Sequence, residues 1–170
     1  MPSPIAVIDF ETTGISPALG DRATEVAIVI TESGRVVDRF QSLMNAGVRI
    51  PSFITQLTGI TNDMVSRAPA AETVIRDAAR FVGSVPMVAH NASFDRRYWQ
   101  AELAMAGEPA QHAFACTVLL SRRLYPQVRG HWWIFFTCHA PARHTAPWPT
   151  PRWQPSCWGA SSTTCTQRTV

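Results

Sequence analysis

A change in composition near residue 128 limits the part of the chain that can fold as one domain. Residues 1–128 contain eleven of the fifteen arginines and all twelve acids, so their formal charge is −1. Residues 129–170 contain four arginines, no acid and five of the six tryptophans. No helical or strand period holds between Pro141 and Pro155. We therefore expect one domain over residues 1–128 and a dissimilar, poorly ordered segment over residues 129–170.

Strand and helix patterns alternate within residues 1–128. Three strands come first, and Glu32-Ser33-Gly34 is turn chemistry that joins the second and third as a hairpin. Strand and helix patterns then follow in turn, which predicts a three-layer α/β domain with a mixed central sheet flanked by helices. The predicted strands are 5–10, 24–31, 35–43, 85–89 and 114–116, and the predicted helices open near Ile50, Thr61, Pro69, Ser93 (as the cap) and Thr117.

Two carboxylates, Asp9 and Glu11, stand at the end of the first predicted strand. Residues two apart on a strand face the same side, with Cα atoms roughly 6–7 Å apart. Such a pair repels unless a cation lies between its members, and a hard divalent cation has the matching preference for oxygen ligands. The alternative interpretation is a strand end that simply exits into solvent. The polar turn Thr12-Thr13-Gly14 favours a functional site over a solvated strand end, because its N–H groups can face an anion.

A third acid, Asp95, follows the predicted strand 85–89. Taken alone, it is explained by the preference for an acid in the first turn of a helix. If this strand neighbours the first one, however, Asp95 lies near Asp9 and Glu11. Three acids at one rim of a sheet indicate a two-metal site that activates water and stabilises the leaving oxygen of a phosphodiester.

Four ordered segments resemble the DEDD 3′–5′ exonucleases, in particular the epsilon proofreading subunit of DNA polymerase III. Residues 7–14 (VIDFETTG) resemble the first motif of that family, and residues 88–95 (VAHNASFD) resemble the second. Residues 57–61 (LTGIT) resemble the segment after the hairpin, and Cys116-Thr117 followed by residues 124–126 (LYP) resembles a later strand-to-helix step. The resemblance covers about residues 4–128.

The resemblance implies an RNase H-like fold, two Mg²⁺ or Mn²⁺ ions and stepwise release of nucleoside monophosphates from a 3′ end. It implies that Asp9, Glu11 and Asp95 are the catalytic metal ligands. It also implies a partner, the single-stranded or frayed 3′ end of DNA, with RNA as an alternative and a DNA polymerase catalytic subunit as a further partner. The substrate-binding residues implied by the resemblance are Phe10, Thr12, Thr13, Gly14, Thr58, Gly59, Ile60, His90 and Asn91.

The third motif of the family, His-x4-Asp on a late helix, is missing. Its His is the general base and its Asp is a metal ligand. Glu108 is the last acid in this chain, so none of His131, His139 and His144 has an acid five positions later. The resemblance therefore predicts a domain whose late helix is missing or replaced, and a chain with little or no exonuclease activity.

A shifted reading frame explains residues 129–170. Codons for residues 143–158, read from each third base with G or C at most free positions, encode AHRALADAEVAAELLG, which contains HRALAD, a His-x4-Asp motif. Residues 131–139 treated in the same way encode LVDLLHLP. Our hypothesis is a frameshift near residues 128–131, caused by a gene lesion or a sequencing error. Alternatives are a zinc site, although no C-x2-C or H-x3-H spacing supports it, and stacking of tryptophans on single-stranded nucleic acid.

Other function classes remain open at this stage. One is a non-catalytic relative that binds nucleic-acid ends or a replication partner, and another is a ribonuclease H-like endonuclease, which the Thr-Thr-Gly turn fits less well. The chain has no apolar run long enough to span a bilayer and no signal peptide pattern, so we expect a cytoplasmic protein without membrane contact. The four cysteines form no close pair, and no disulfide framework is expected.

Overall fold

The computed structural model describes residues 3–126 of the chain. The chain divides into two units, Met1–Val128 and Arg129–Val170, and the described residues all belong to the first. The predicted boundary after residue 128, the replaced late helix and the shifted frame lie outside the described residues and stay predictions. No helix within residues 3–126 has the length and hydrophobicity of a membrane-spanning segment.

Five strands form one mixed sheet in the order β3-β2-β1-β4-β5. β1 is antiparallel to β2 and parallel to β4, β2 is antiparallel to β3, and β4 is parallel to β5. This arrangement confirms the predicted α/β fold with a mixed sheet flanked by helices. The strands are β1 (Ile5–Thr12), β2 (Ala23–Glu32), β3 (Arg35–Leu43), β4 (Met87–Ala89) and β5 (Phe114–Cys116).

The helices follow the predicted order closely, and a short 3₁₀ helix, Pro17–Leu19, was not predicted. The predicted cap at Ser93 is wrong: Ala92 is the N-cap of α4, and no side chain among residues 3–126 caps that helix. At α2, by contrast, the Thr61 hydroxyl accepts a hydrogen bond from the Met64 N–H at 3.2 Å, as expected of an N-cap threonine. The α-helices are α1 (Ser52–Thr58), α2 (Asn62–Ser66), α3 (Ala71–Val82), α4 (Ser93–Ala106) and α5 (Thr117–Leu124).

The β2–β3 hairpin forms as its turn residues predict. Ser33 and Gly34 both adopt positive φ angles, 52° and 75°, which matches the right-handed twist of the flanking strands. Glu32 pairs with Arg35 across the turn, and the pairing continues to Glu25 and Leu43 with one irregularity next to Ile30.

The main core lies between one face of the sheet and the helices α3 and α4. Alternate residues of β1 (Ala6, Ile8, Phe10) point into this core, whereas Ile5 and Val7 on the other face remain 38% and 41% exposed. α3 packs against α4, β2 and β3, and α4 packs against β1. The helix α4 therefore lies directly over the strand that carries the candidate carboxylates.

Candidate active site

Asp9 and Asp95 meet at the edge of the sheet where β1 ends and α4 begins. β1 runs to Thr12, two residues beyond the predicted end, and Asp95 lies in the first turn of α4. The Asp95 Oδ1 atom accepts a hydrogen bond from the Phe10 N–H at 3.2 Å, which fixes the carboxyl against the residue next to Asp9. The predicted approach of Asp95 to the first strand is thus present in the structure.

The surroundings of Asp95 disfavour its charged form. Its side chain is only 2% exposed. Burial, followed by the neighbouring charge of Asp9, raises the pKa of Asp95 to about 7. Hydrogen bonds from the backbone N–H groups of Asp95 and Phe10 act in the opposite direction and lower this pKa. A carboxyl that is buried beside a second carboxyl gains most from a cation between the two. The pair therefore fits a hard, oxygen-preferring metal ion.

Asp9 lies on the exposed face of β1, next to His90. The residue as a whole is exposed, but the protein around its carboxyl group displaces water from it, which raises the pKa of Asp9, and the charge of His90 opposes that rise. The parallel pairing of Val7 with Val88 explains the neighbour, because continuing that register for two residues sets His90 beside Asp9. A ring nitrogen of His90, Nδ1, lies 3.0 Å from the Thr117 hydroxyl at the start of α5.

The three predicted metal ligands do not form a ready metal cage. Among the described residues, no group of three or more His, Cys, Asp or Glu side chains is arranged to hold a metal ion. Glu11 is partly buried on β1, where it pairs with Glu25 of β2. The structure thus brings Asp9 and Asp95 together, while the role of Glu11 as a ligand and the two-metal site stay predictions.

The turn after β1 is held by hydrogen bonds of its own side chains. The Thr12 hydroxyl donates to the Gly14 carbonyl at 2.6 Å, and the Thr13 hydroxyl accepts from the Arg22 N–H at 3.0 Å. Thr12 and Thr13 are 7% and 4% exposed, so their hydroxyls face inward. Within the described part of the chain, no hydrogen bond uses the N–H groups of Gly14 and Ile15. These N–H groups are what the turn can offer to an anion.

Gly14 is required by the packing of this turn. A Cβ atom at Gly14 would lie 2.4 Å from the carboxyl carbon and both oxygens of Asp21. The same Asp21 carboxylate accepts a hydrogen bond from the Ser16 N–H at 3.0 Å. The missing side chain of Gly14 thus lets Asp21 close the turn.

Phe10 contributes to the site through its backbone rather than its ring. The ring is 5% exposed and packs against Tyr98 and Trp99, with centroids 6.4 and 6.5 Å away. A buried ring offers no stacking surface, so the expectation of a nucleotide contact from Phe10 is corrected to a core position. Ile60 is similarly buried, at 4% exposed, in a small cluster with Ile54 of α1.

The remaining predicted residues lie in two short segments. Gly59 ends α1 with a φ of 80°, and the Thr58 hydroxyl bonds to the Ile54 carbonyl at 3.0 Å and to the Ile60 N–H at 3.1 Å. Both hydrogen bonds join residues of the same segment, so the position of residues 58–60 beside the nucleotide stays a prediction. Asn91 follows β4 with a φ of 58°, a conformation that asparagine tolerates better than most residues and that is common at functional sites.

Sequence reasoning missed the residues that join α4 to this turn. The Tyr98 hydroxyl donates to the Gly14 carbonyl at 2.9 Å. The Glu102 carboxylate accepts from Arg22 Nε and Nη2 at 3.0 and 2.9 Å, and from the Ala23 N–H at 3.0 Å. The available signal was spacing: Tyr98 and Glu102 lie three and seven residues after Asp95, on the same helix face.

The fold and the carboxylate pair define a class of protein, the nucleases built on an RNase H-like mixed sheet. Residues 6–144 match the model of the RNase T family, which is described as an exonuclease family. The chain therefore belongs to this exonuclease family, and the resemblance to the DEDD 3′–5′ exonucleases is confirmed.

The relatives are much longer than this chain. A 3′–5′ exonuclease DinG from Bacillus subtilis is 37% identical over 142 residues, which are 83% of this chain and 15% of the relative. A DNA polymerase III of the PolC type from the same organism is 38% identical over 127 residues, 74% of this chain and 9% of the relative. The chain thus spans less than a sixth of the length of these curated relatives.

Solved structures of exonuclease I share the fold. A metal-free complex of the E. coli enzyme with single-stranded DNA superposes with a TM-score of 0.66 at 17% identity, over 72% of this chain and 30% of that chain. A complex described as ExoI/SSB-Ct gives a TM-score of 0.65 at 18% identity, over 74% of this chain and 30% of that chain. At this identity the likeness establishes the fold alone.

Proposed function

We propose that this chain is built as a metal-dependent exonuclease domain that hydrolyses phosphodiester bonds from the 3′ end of DNA and releases nucleoside monophosphates. The observation that carries the proposal is the buried Asp95 carboxyl beside Asp9, held by the Phe10 N–H, in a chain of an exonuclease family. Two carboxyls that destabilise each other in the absence of a cation are typical of a metal site rather than of a structural contact.

The metal ligands would be Asp9 and Asp95, with Glu11 as a third. Their oxygen donors suit Mg²⁺ or Mn²⁺. When bound, such an ion polarises a phosphoryl oxygen and neutralises negative charge. The family pattern calls for two ions, and the fourth carboxylate of that pattern is absent from the sequence.

Substrate binding is assigned to protein groups around the carboxylate pair. The N–H groups of Gly14 and Ile15 would donate to a phosphate or to the terminal sugar, while Thr12 and Thr13 hold the turn that presents them. His90, whose charge acts on Asp9, and Asn91 after it would contact the nucleotide, and residues 58–60 would border it. DNA is favoured over RNA because the PolC-type relatives are DNA polymerases.

Catalysis in this particular chain should be weak or absent. No acid follows Glu108, so residues 109–170 cannot supply the Asp of a His-x4-Asp motif. The loss of a general base alone reduces rates by roughly 10²–10⁴. The expected result is little or no digestion of 5′-labelled single-stranded DNA by the 170-residue chain with Mg²⁺ or Mn²⁺. Robust digestion that the Asp95→Asn substitution abolishes would contradict this part of the proposal.

A second candidate function is binding of nucleic-acid ends, or of a replication partner such as a polymerase catalytic subunit, without catalysis. The missing third motif favours it, because Asp9 and Asp95 are retained although the acid that completes the site is not. Metal-dependent binding of a 3′ end without turnover would support this function. The predicted cytoplasmic location rests on the sequence alone.

The frameshift hypothesis has a direct test at the DNA level. Sequencing the gene across codons 125–141 should reveal whether one base has been gained or lost. A corrected frame would encode the His-x4-Asp motif, and the corrected protein should degrade DNA from its 3′ end. An unchanged reading would assign this chain to the inactive or end-binding group.

A further inference from the structure

One face of α4 presents three buried polar side chains in a row. Asp95, Tyr98 and Glu102 are spaced i, i+3 and i+7, which places them on a single stripe of the helix. They are 2%, 0% and 1% exposed. Buried polar groups destabilise a protein unless they are hydrogen-bonded. The hydrogen-bond partners of these three side chains therefore indicate what the stripe does.

Each member of this stripe contacts a different point of the segment between β1 and β2. Asp95 accepts from the Phe10 N–H at 3.2 Å, and Tyr98 donates to the Gly14 carbonyl at 2.9 Å. Glu102 binds the far end, where its carboxylate accepts from the Ala23 N–H at 3.0 Å and from two nitrogens of Arg22. The helix therefore contacts the segment before, within and after the turn.

The turn is cross-linked between these contact points. The Gly14 carbonyl accepts from both the Thr12 hydroxyl, at 2.6 Å, and the Tyr98 hydroxyl. The Thr13 N–H donates to the Arg22 carbonyl at 2.9 Å, and the Arg22 N–H donates to the Thr13 hydroxyl at 3.0 Å. A displacement of the turn relative to α4 would have to break several of these bonds together.

We propose that Tyr98 and Glu102 are positioning residues that hold the Thr12-Thr13-Gly14 turn in a fixed relation to Asp95. The inference rests on the proposed function, because it assigns the turn to the nucleotide and Asp95 to the metal. Both groups must meet the same terminal nucleotide, and small misplacements of binding groups strongly reduce catalysis and binding. The hydrogen bonds of the stripe keep the distance between the turn and the Asp95 carboxyl constant.

The test uses the 170-residue chain with two variants of the stripe and one control. Tyr98→Phe removes one hydroxyl and keeps the buried ring, and Glu102→Gln keeps the shape while removing the charge. Arg76→Met is the control: Arg76 donates to the Ala106 carbonyl at 3.2 and 2.7 Å, which anchors the opposite end of α4. Three quantities are measured for each protein: Mn²⁺ affinity, thymidine 5′-monophosphate affinity at saturating Mn²⁺, and amide exchange of Thr13 and Ser16.

Tyr98→Phe should weaken nucleotide binding about five- to tenfold, the effect of one hydrogen bond, and leave Mn²⁺ affinity within about twofold. It should also speed amide exchange at Thr13 and Ser16 while the amides of β2 stay protected. Glu102→Gln should act in the same direction at the turn. Arg76→Met should lower the melting temperature and change neither nucleotide affinity nor exchange at the turn.

Two results would overturn the proposal. One is an unchanged nucleotide affinity and unchanged exchange at the turn in Tyr98→Phe, and the other is an equal effect of Arg76→Met on both. A wild-type chain that binds no nucleotide refutes the proposed function instead. In that case the exchange rates alone decide the inference: faster exchange at Thr13 and Ser16 supports the fixed turn, and unchanged exchange refutes it.

Discussion

Asp95 and Glu102 lie seven residues apart on one face of α4, and both are buried and accept a backbone N–H, yet the charges around them have opposite signs. Glu102 forms three hydrogen bonds, two of them to the Arg22 guanidinium in a two-pronged ion pair. Asp95 accepts a hydrogen bond from the Phe10 N–H, and the neighbouring charge that raises its pKa is another acid, Asp9. The first carboxylate has its countercharge within the fold, whereas no ion pair within residues 3–126 involves the second.

The difference separates a structural carboxylate from one reserved for a ligand. A buried ion pair with complete hydrogen bonding tolerates its burial, because the Coulomb attraction offsets the loss of water. A buried acid beside a like charge destabilises the fold, and proteins retain such strain mainly where function requires it. The two acids of α4 should therefore respond to neutralisation with opposite signs.

Neutralising Glu102 should give the largest loss of stability. Glu102→Gln removes the buried countercharge of the Arg22 guanidinium, which is 15% exposed, and leaves it only the more exposed Glu72 carboxylate at 3.7 Å. We expect the free energy of unfolding to fall by about 3 kcal/mol, as for other broken buried pairs. Urea unfolding measures this loss. The matched control is Glu108→Gln at the half-exposed pair with Arg76, where the change should stay below about 0.5 kcal/mol. Equal losses of unfolding free energy in Glu102→Gln and Glu108→Gln would show that the buried ion pair stabilises the fold no more than the exposed one.

Neutralising Asp95 should stabilise the metal-free protein. The pKa of Asp95 rises from 3.8 to about 7 on folding, so the folded state binds this proton more tightly than the unfolded state. The stabilising contribution of this proton is complete at a pH below the unfolded-state pKa of 3.8, and it is lost as the pH rises through the folded-state pKa of about 7. At about pH 8 without metal, Asp95→Asn should therefore be more stable than the wild type by on the order of 2 kcal/mol.

The pH dependence and the metal provide the controls for this variant. The advantage of Asp95→Asn should shrink toward about pH 4, where the wild-type carboxyl is protonated in both states. Saturating Mn²⁺ should stabilise the wild type and leave the variant unchanged, because a ligand stabilises only the state that binds it. A variant that is less stable than the wild type at every pH would show that Asp95 is structural, like Glu102.

Much of this picture could be predicted from sequence, because it depends on local patterns. The predicted strand 35–43 matches β3 to the residue, and the helix predicted to open near Thr117 begins at that residue as α5. The meeting of Asp9 with Asp95 follows from chain order once β1 and β4 are neighbours in a parallel pair. Periodicity and turn chemistry encode these features within short stretches of chain.

The contacts that distinguish the two acids could not be predicted in the same way. Arg22 and Glu102 are separated by 80 residues, and nothing local marks either of them as the partner of the other. The Phe10 ring lies within the first motif, yet the alternation of β1 turns it into the core. Such outcomes depend on which elements pack together, and helical spacing identifies the stripe of α4 only once Asp95 is known to face β1.

Gly14 provides a smaller test of how the turn is closed. In Gly14→Ala the new Cβ would lie 2.4 Å from the Asp21 carboxyl group, so that group must rotate away and release the Ser16 N–H. We expect a loss of about 1–2 kcal/mol in the free energy of unfolding, from crowding and one lost hydrogen bond. Thermal unfolding measures it. In the double variant with Asp21→Ala, the added cost of Gly14→Ala should largely disappear, and full additivity would contradict this account.

Thr24 extends the contrast between satisfied and unsatisfied polar groups to two hydroxyls of similar burial. The Thr12 hydroxyl, in a residue 7% exposed, bonds to the Gly14 carbonyl, whereas the Thr24 hydroxyl, in a residue 3% exposed, has no partner within the described residues. Thr24 lies where the β1–β2 register shifts, between residues paired with Glu11 and Thr12. Thr24→Val should therefore stabilise the protein by about 0.5–1 kcal/mol, because valine matches the shape and needs no hydrogen bond, while Thr12→Val should cost about 1 kcal/mol. Urea unfolding of both variants decides the point, since a loss in Thr24→Val equal to that in Thr12→Val would reveal a bonded hydroxyl at Thr24.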